Sequence, residues 1–262
     1  MSIIEHTFQN ILDEGEITLD ILNKVLSKMG EIKDLEIKSS SGSSFVFISN
    51  ELENVFQYFI NSTMENKISN IIMKLLKNKH IKINLLYDEE EIIEMNYNIL
   101  EYMGNYIYNI PDPYNIIVWK KHICLNSFPK DKIVEIINNN IFKLMWDIGK
   151  CIYGLHQNNI IHNDVSIDNI GINSTMDKFI LFDFDASNVM NPMFNYSIDV
   201  YKFLKSIKHN SKDNWNNIKD FIPKYTENYT SSYVFLNEVY YLYEKNKNKN
   251  KNINIEDVKI TL

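Results

Sequence analysis

The chain is expected to be α+β, with a strand-bearing amino-terminal part followed by a mainly helical carboxy-terminal part. Three observations predict this. Short apolar runs rich in β-formers stand between turn signals before residue 122. After Pro129 the apolar positions recur at helical spacing instead. The chain has 262 residues, 45% of them hydrophobic and 13% aromatic, enough to bury a core as one large domain or two lobes.

The elements follow in order. Residues 1–36 read as a helical extension. Ile3, Ile4, Phe8, Ile11 and Leu12 share one face, as do Leu19, Ile21, Leu22, Val25, Leu26 and Met29, and Gly30 is a plausible stop. Such faces need covering, which suits a brace for the strand-bearing part. Ser39–Ser44 is a Ser-rich turn around Gly42 that leads into the β-forming run Phe45-Val46-Phe47-Ile48. Residues 50–63 suit a helix or a long hairpin insertion. Ile68–Leu76 reads as a strand ending in a basic turn, and 88–103 as a helix with acids in its first turn. Pro111 and Pro113 interrupt the pattern before a buried strand at Asn115–Trp119. Asp131–Asn158 is a long helix with Ile133, Ile136, Ile137, Phe142, Met145, Ile148, Ile152 and Leu155 inward. Further helices are expected near 195–209, 213–222 and 230–244. Lys245–Asn252, KNKNKNKN, opens a low-complexity tail over 245–262.

Composition excludes several classes. A net charge of −7 argues against a nucleic-acid footprint. Two cysteines, Cys124 and Cys151, cannot make a disulfide framework, so a reducing, cytoplasmic setting is expected. No signal peptide or membrane span is apparent. Asn, Ile, Lys and Tyr are abundant, which lowers the value of any lone Asn and raises that of each glycine.

The chemistry is concentrated in Ile160–Ser187, IIHNDVSIDNIGINSTMDKFILFDFDAS. Asp164, on a loop after the long helix, could accept or orient a hydroxyl proton. Asn169 offers a neutral oxygen and Asp183, after the apolar run Lys178–Phe182, a carboxylate; both suit a hard cation such as Mg2+. Taken singly, Asp and Asn on turns usually cap backbone groups. The ordered combination of helix, His-x-Asp, Asn five residues on, strand and Asp-Phe is what points to phosphoryl transfer.

This stretch resembles the catalytic core of eukaryotic-like protein kinases, with His162-x-Asp164…Asn169 and Asp183-Phe184. More narrowly, it looks like the divergent Ser/Thr kinases of large DNA viruses, of the poxvirus type, which carry Asp-Phe-Asp as Asp183-Phe184-Asp185 does. The resemblance is specific over roughly 150–205. It implies a two-lobed kinase-like fold: helical extension 1–36, β-rich N-lobe 37–122, helical C-lobe 123–244 and tail 245–262. It implies Asp164 as catalytic base, Asn169 and Asp183 as metal ligands, and His162 as a structural partner of the loop. Asp199 would be a buried carboxylate holding the loop backbone. ATP with Mg2+ or Mn2+ would be the cofactors. A protein substrate, and a regulatory protein, would be the partners, in host cytoplasm or virion if the chain is viral.

From the N-lobe the resemblance requires a phosphate-contacting lysine and a glutamate to hold it. Lys74 in Ile71-Ile72-Met73-Lys74-Leu75 is the expected lysine, catalytic through its phosphate contact, and Glu94 its partner, with Glu91 as the alternative. Gly42, Ser43, Ser44 and Val46 stand where a glycine-rich phosphate loop and an adenine contact belong. Several positions depart from the family. Asn163 replaces the usual Arg, Ser166 the usual Lys and Asp185 the usual Gly, and the run from Asp183 to Asp199 is short, with no Ala-Pro-Glu. The leading expectation is therefore a protein Ser/Thr kinase. A pseudokinase acting as a binding module and a small-molecule kinase of the aminoglycoside or choline type are the alternatives.

Overall fold

The computed structural model describes residues 35–40, 44–49, 54–59, 62–87, 91–104, 106–110, 115–173, 175–189, 197–211 and 231–246. Residues 1–34 of the expected helical extension 1–36, the expected helix at 213–222, the tail beyond 246, and Gly42 and Ser43 lie outside these residues, while Leu35 and Glu36, the last two of that extension, open a strand instead. Small antiparallel sheets stand beside four described helices, which is compatible with the expected α+β class. The chain divides into two compact units. One comprises 1–72 with 105–121, the other 73–104 with 122–262.

The first unit contains a five-stranded antiparallel sheet. Its strands are β1 (Leu35–Ser40), β2 (Ser44–Ser49), β3 (Asn54–Phe59), β6 (Tyr106–Ile110) and β7 (Ile116–Lys120), in the order β1-β2-β3-β7-β6. The β3 stretch, where a helix or a long hairpin insertion was expected, is a central strand that pairs antiparallel with β2, on the side of the hairpin alternative. Its sequence NVFQYF alternates: Phe56 and Tyr58 are buried while Val55 and Gln57 are half-buried on the other face.

Helix α1 (Ser62–Lys77) corrects the second expectation. Ile68, Ile71, Ile72 and Leu75 are all buried. Their spacing of three, one and three residues fits one stripe of a helix and not the alternation of a strand. The apolar run read as a strand is thus a helical stripe, and Lys74 lies in the helix's last turn, half-buried.

In the second unit, β4 (His80–Tyr87) and β5 (Glu91–Asn98) form an antiparallel hairpin. Here a helix was expected over 88–103. The acids at its start suggested a helix dipole, but Ile93, Met95 and Tyr97 alternate with polar residues. They face the same side as buried Ile81, Ile83 and Leu85 across the ladder. A short 3-10 turn, Ile99–Tyr102, follows. The long helix α2 (Lys130–Gln157) is kinked at Asn140 and runs buried along most of its second half. Two later helices, α3 (Ser197–Asn210) and α4 (Ser232–Asn246), fall where helices were expected. The outer edge of β4 meets α4. Asn237 accepts from Leu86 N–H at 2.6 Å and donates to Leu86 C=O at 3.3 Å, while Tyr233 donates to Asn84 C=O at 3.0 Å.

A buried charged cluster ties this unit together. Lys150 on α2 donates to Tyr102 Oη at 2.5 Å, lies 4.0 Å from that ring's centroid and sits 3.5 Å from Asp147. Asp147 also accepts from Lys143 and from the backbone of Phe179. Burial holds the Lys150 pKa down to about 8. Cys151, beside it, is buried and its thiol is pushed up by burial, as befits a small apolar residue.

Candidate active site

Strands β8 (Ile123–Cys124), β10 (Ile170–Ile172) and β11 (Phe179–Leu181) form a small antiparallel sheet that builds the site. Ile170 pairs with Leu181, so Asn169, just before β10, stands opposite Phe182, just after β11. The Phe182 N–H donates to the Asn169 C=O at 3.0 Å, and Asp183 is the next residue. The hairpin register therefore brings the two metal-ligand candidates side by side. Strand β9 (Ile160–Ile161), paired with β12 (Asn188–Val189), delivers His162 to Asp164 from the end of α2.

The side chains converge. Asn169 Nδ2 donates to Asp164 Oδ2 at 2.8 Å and to Asp164 C=O at 2.9 Å. This spends the amide nitrogen and leaves the Asn169 Oδ1 as an acceptor. Asp183 adopts a left-handed backbone, φ 62°, a conformation that costs a non-glycine residue and concentrates at functional sites. Its carboxyl is pushed above the usual range by partial burial first, then by the neighbouring charges of Asp185 and Asp164. A divalent cation would relieve that crowding. Among the described residues no group of three or more His, Cys, Asp or Glu could hold a metal. An Asn oxygen with a carboxylate nonetheless fits Mg2+, which keeps waters and takes phosphate oxygens as further ligands.

Behind the loop lies a buried polar network. His162 is fully buried, and its Nε2–H donates to the Phe182 C=O at 3.0 Å. Its Nδ1 accepts from the Asp164 N–H at 3.3 Å, so the ring is neutral. Burial lowers its pKa accordingly. Asp199, also fully buried, accepts from His162 N–H at 2.9 Å and Asn163 N–H at 2.7 Å. It plays the loop-holding part expected of it. His156, at the end of α2, bridges Asp199 Oδ2 at 3.0 Å and Ser232 Oγ at 2.9 Å. Sequence reasoning missed His156; its signal was a polar residue amid the apolar end of a helix, six residues before His162.

The residues expected from the amino-terminal part are arranged differently. Among the described residues no ion pair joins Lys74 to Glu94 or Glu91. Glu94 is an exposed residue of β5 opposite Asn84, and Glu91 begins that strand. Both had been expected on a helix. Ser44 and Val46 lie on β2, with Val46 opposite Gln57 of β3. Gln57, a residue that sequence reasoning passed over, donates to Ser44 Oγ at 3.1 Å and accepts from Trp119 Nε1 at 3.0 Å. One amide thus ties β2, β3 and β7 together. Helix α1 holds the buried Glu65, which accepts from Ser69 Oγ at 2.6 Å. No described helix is long and apolar enough to cross a membrane.

No family model matches the chain. A stretch of 104 residues, 38% of the chain, is 33% identical to a probable bifunctional tRNA threonylcarbamoyladenosine biosynthesis protein of Methanosphaera stadtmanae, covering 19% of that protein. A stretch of 185 residues, 62% of the chain, is 27% identical to the probable serine/threonine-protein kinase gdt2 of Dictyostelium discoideum, covering 11% of it. The chain therefore spans a fifth or less of the length of these two relatives, and its similarity to the second is kinase-like and partial.

Proposed function

We propose that the chain is an ATP- and Mg2+-dependent phosphotransferase of the kinase type that acts on Ser or Thr hydroxyls of proteins. The observation that carries this is the joining of Asn169 to Asp164 with Asp183 beside them in a left-handed backbone. ATP bound with Mg2+ would supply the transferable phosphoryl group and neutralise its charge. Asn169 Oδ1 and the Asp183 carboxylate are the groups that would hold the metal. Asp164, half of it fixed by Asn169, orients the acceptor hydroxyl and takes its proton. His162 stays neutral and structural. Asp185 in place of glycine, and the short run to Asp199, support the branch that resembles the kinases of large DNA viruses.

The test is transfer of labelled γ-phosphate from ATP into a mixed protein extract. Asp164→Ala is expected to lower the rate by roughly 10²–10⁴-fold, and Asp183→Asn to abolish metal-dependent transfer. Near-wild-type transfer by Asp164→Ala would sink the assignment.

A second reading, a regulatory module that binds without transferring, is favoured by one observation. The third of the described strands, NVFQYF, carries Gln57 and no lysine, where kinases place the phosphate-contacting lysine. Thermal-shift titration with ATP, with and without Mg2+, separates the two: stabilisation that needs the metal supports the enzyme.

A further inference from the structure

Asn163 is the residue through which the loop turns. Its backbone is left-handed, φ 63°, a region that Asn tolerates better than most side chains. Its N–H donates to Asp199 Oδ1 at 2.7 Å. Its C=O accepts from Lys202 Nζ, and its Oδ1 lies 3.4 Å from the same ammonium. Asp199 and Lys202 are three residues apart on α3, hence on one helix face. That face meets the loop with a carboxylate for its N–H groups and an ammonium for its carbonyl.

The Asn163 C=O belongs to the peptide unit whose N–H is that of Asp164. That N–H is engaged by His162 Nδ1 at 3.3 Å. The peptide plane entering Asp164 is thus held at both ends, by Lys202 and by His162. Lys202 is also close enough for its charge to act on the His162 ring. The loop itself brings no cation of its own, with Asn163 and Ser166 at the two positions where its resemblance would place Arg and Lys.

We infer that Lys202 is a positioning residue for Asp164: its ammonium clamps the Asn163 carbonyl and so fixes the direction in which the Asp164 side chain leaves the backbone. This rests on the reading of Asp164 as the residue that engages the acceptor hydroxyl. A displacement of the order of 1 Å at such a group costs up to about 10²-fold in rate.

The test compares wild type, Lys202→Met and Lys202→Arg in the full chain by steady-state transfer kinetics and by backbone amide exchange. Lys202→Met is expected to lower kcat by roughly 10- to 100-fold and to leave the KM for ATP within about twofold, because the metal ligands are untouched. Lys202→Arg, which keeps a cationic donor, is expected to restore most of kcat. The amides of Asn163 and Asp164 are expected to exchange faster in Lys202→Met, while the global unfolding midpoint moves little. Unchanged kcat, or a lower kcat that Arg does not rescue, overturns the inference. Should the wild type transfer no phosphate, that failure belongs to the enzyme reading, and the exchange data alone decide the clamp: unchanged exchange at Asn163 and Asp164 overturns it. If Lys202→Met fails to fold, Lys202→Gln, a shorter neutral donor, replaces it with the same outcomes.

Discussion

The loop from His162 to Asp183 and the sheet that carries Gln57 are both polar sites set in apolar surroundings, but they are built from different chemistry. The loop is held by ionisable groups: Asp199 and Lys202 grip its backbone, His156 braces Asp199 from behind, and its exposed face presents two carboxylates and an amide. In the sheet, the hydrogen bonds at Gln57 join an amide, a hydroxyl and an indole. Charge buried on a rigid network can be aimed, and the loop pays for that aim with a full set of donors to Asp199. A neutral triad ties strands together with less electrostatic leverage on an anionic ligand. The two regions teach that one chain can fix a loop with buried charge and tie a sheet with neutral hydrogen bonds.

The comparison can be broken first at Asp199. Asp199→Ala leaves two backbone N–H groups and His156 without their acceptor, and a loss of about 3–5 kcal/mol in unfolding free energy is expected from urea titration. A loss below about 1 kcal/mol would mean the network is not the loop's support.

Next is the buried lysine of the same unit. In the folded chain Lys150 titrates near 8, against 10.5 when unfolded. Between those values the unfolded chain keeps a proton that the folded chain has released, so the Lys150 contribution to stability improves as pH rises through that window. Its burial penalty is fully present below about pH 8. Tyr97, Tyr102 and Tyr153, all raised by burial, act in the opposite sense at high pH, so the difference from a variant is the measurement. Wild type is expected to gain about 2 kcal/mol relative to Lys150→Met between pH 7.5 and 9.5. A pH-independent difference would show that Lys150 is solvated.

The sharpest test of the neutral sheet is Gln57→Lys. If Gln57 stands at a phosphate contact, the added charge should tighten ATP binding by roughly tenfold, read by calorimetry. Unchanged affinity would separate Gln57 from phosphate binding and leave it as a tie between strands. Lys74→Ala, in the last turn of α1, is expected to change both affinity and stability by less than about 0.5 kcal/mol.

The contrast also explains what could be read in advance. The nearness of Asp164, Asn169 and Asp183 could be anticipated because a tight loop and a short hairpin bring residues close in sequence close in space. Asp199 could be anticipated only through the resemblance, and its partner His156 not at all, since nothing local marks a bond across 43 residues. The described helices after Pro129 were legible from their long apolar period. The failures lie at short apolar runs. Ile68–Leu76 was taken for a strand because six of its nine residues are apolar Ile, Met or Leu, although its buried residues follow a helical stripe. Acids at Asp88–Glu91 imitated a helix start, but the pairing of β5 with β4 decided the backbone. Once Lys74 left its strand, the pair with Glu94 fell with it. Gln57 was hidden as one polar residue in an alternating strand, where such residues usually face water.

One detail of the hairpin has a bearing on the life of the protein outside its chemistry. The β4 edge offers the kind of unpaired N–H and C=O groups on which a foreign strand can grow. Asn237 meets both groups of Leu86 with its amide, as an adjoining strand would, and Tyr233 takes the carbonyl two residues away. A helix side chain thereby impersonates the next strand. In a chain so rich in β-forming Ile and Tyr, that substitution of amide for neighbour guards this margin against self-association while the rest of the fold goes about its work.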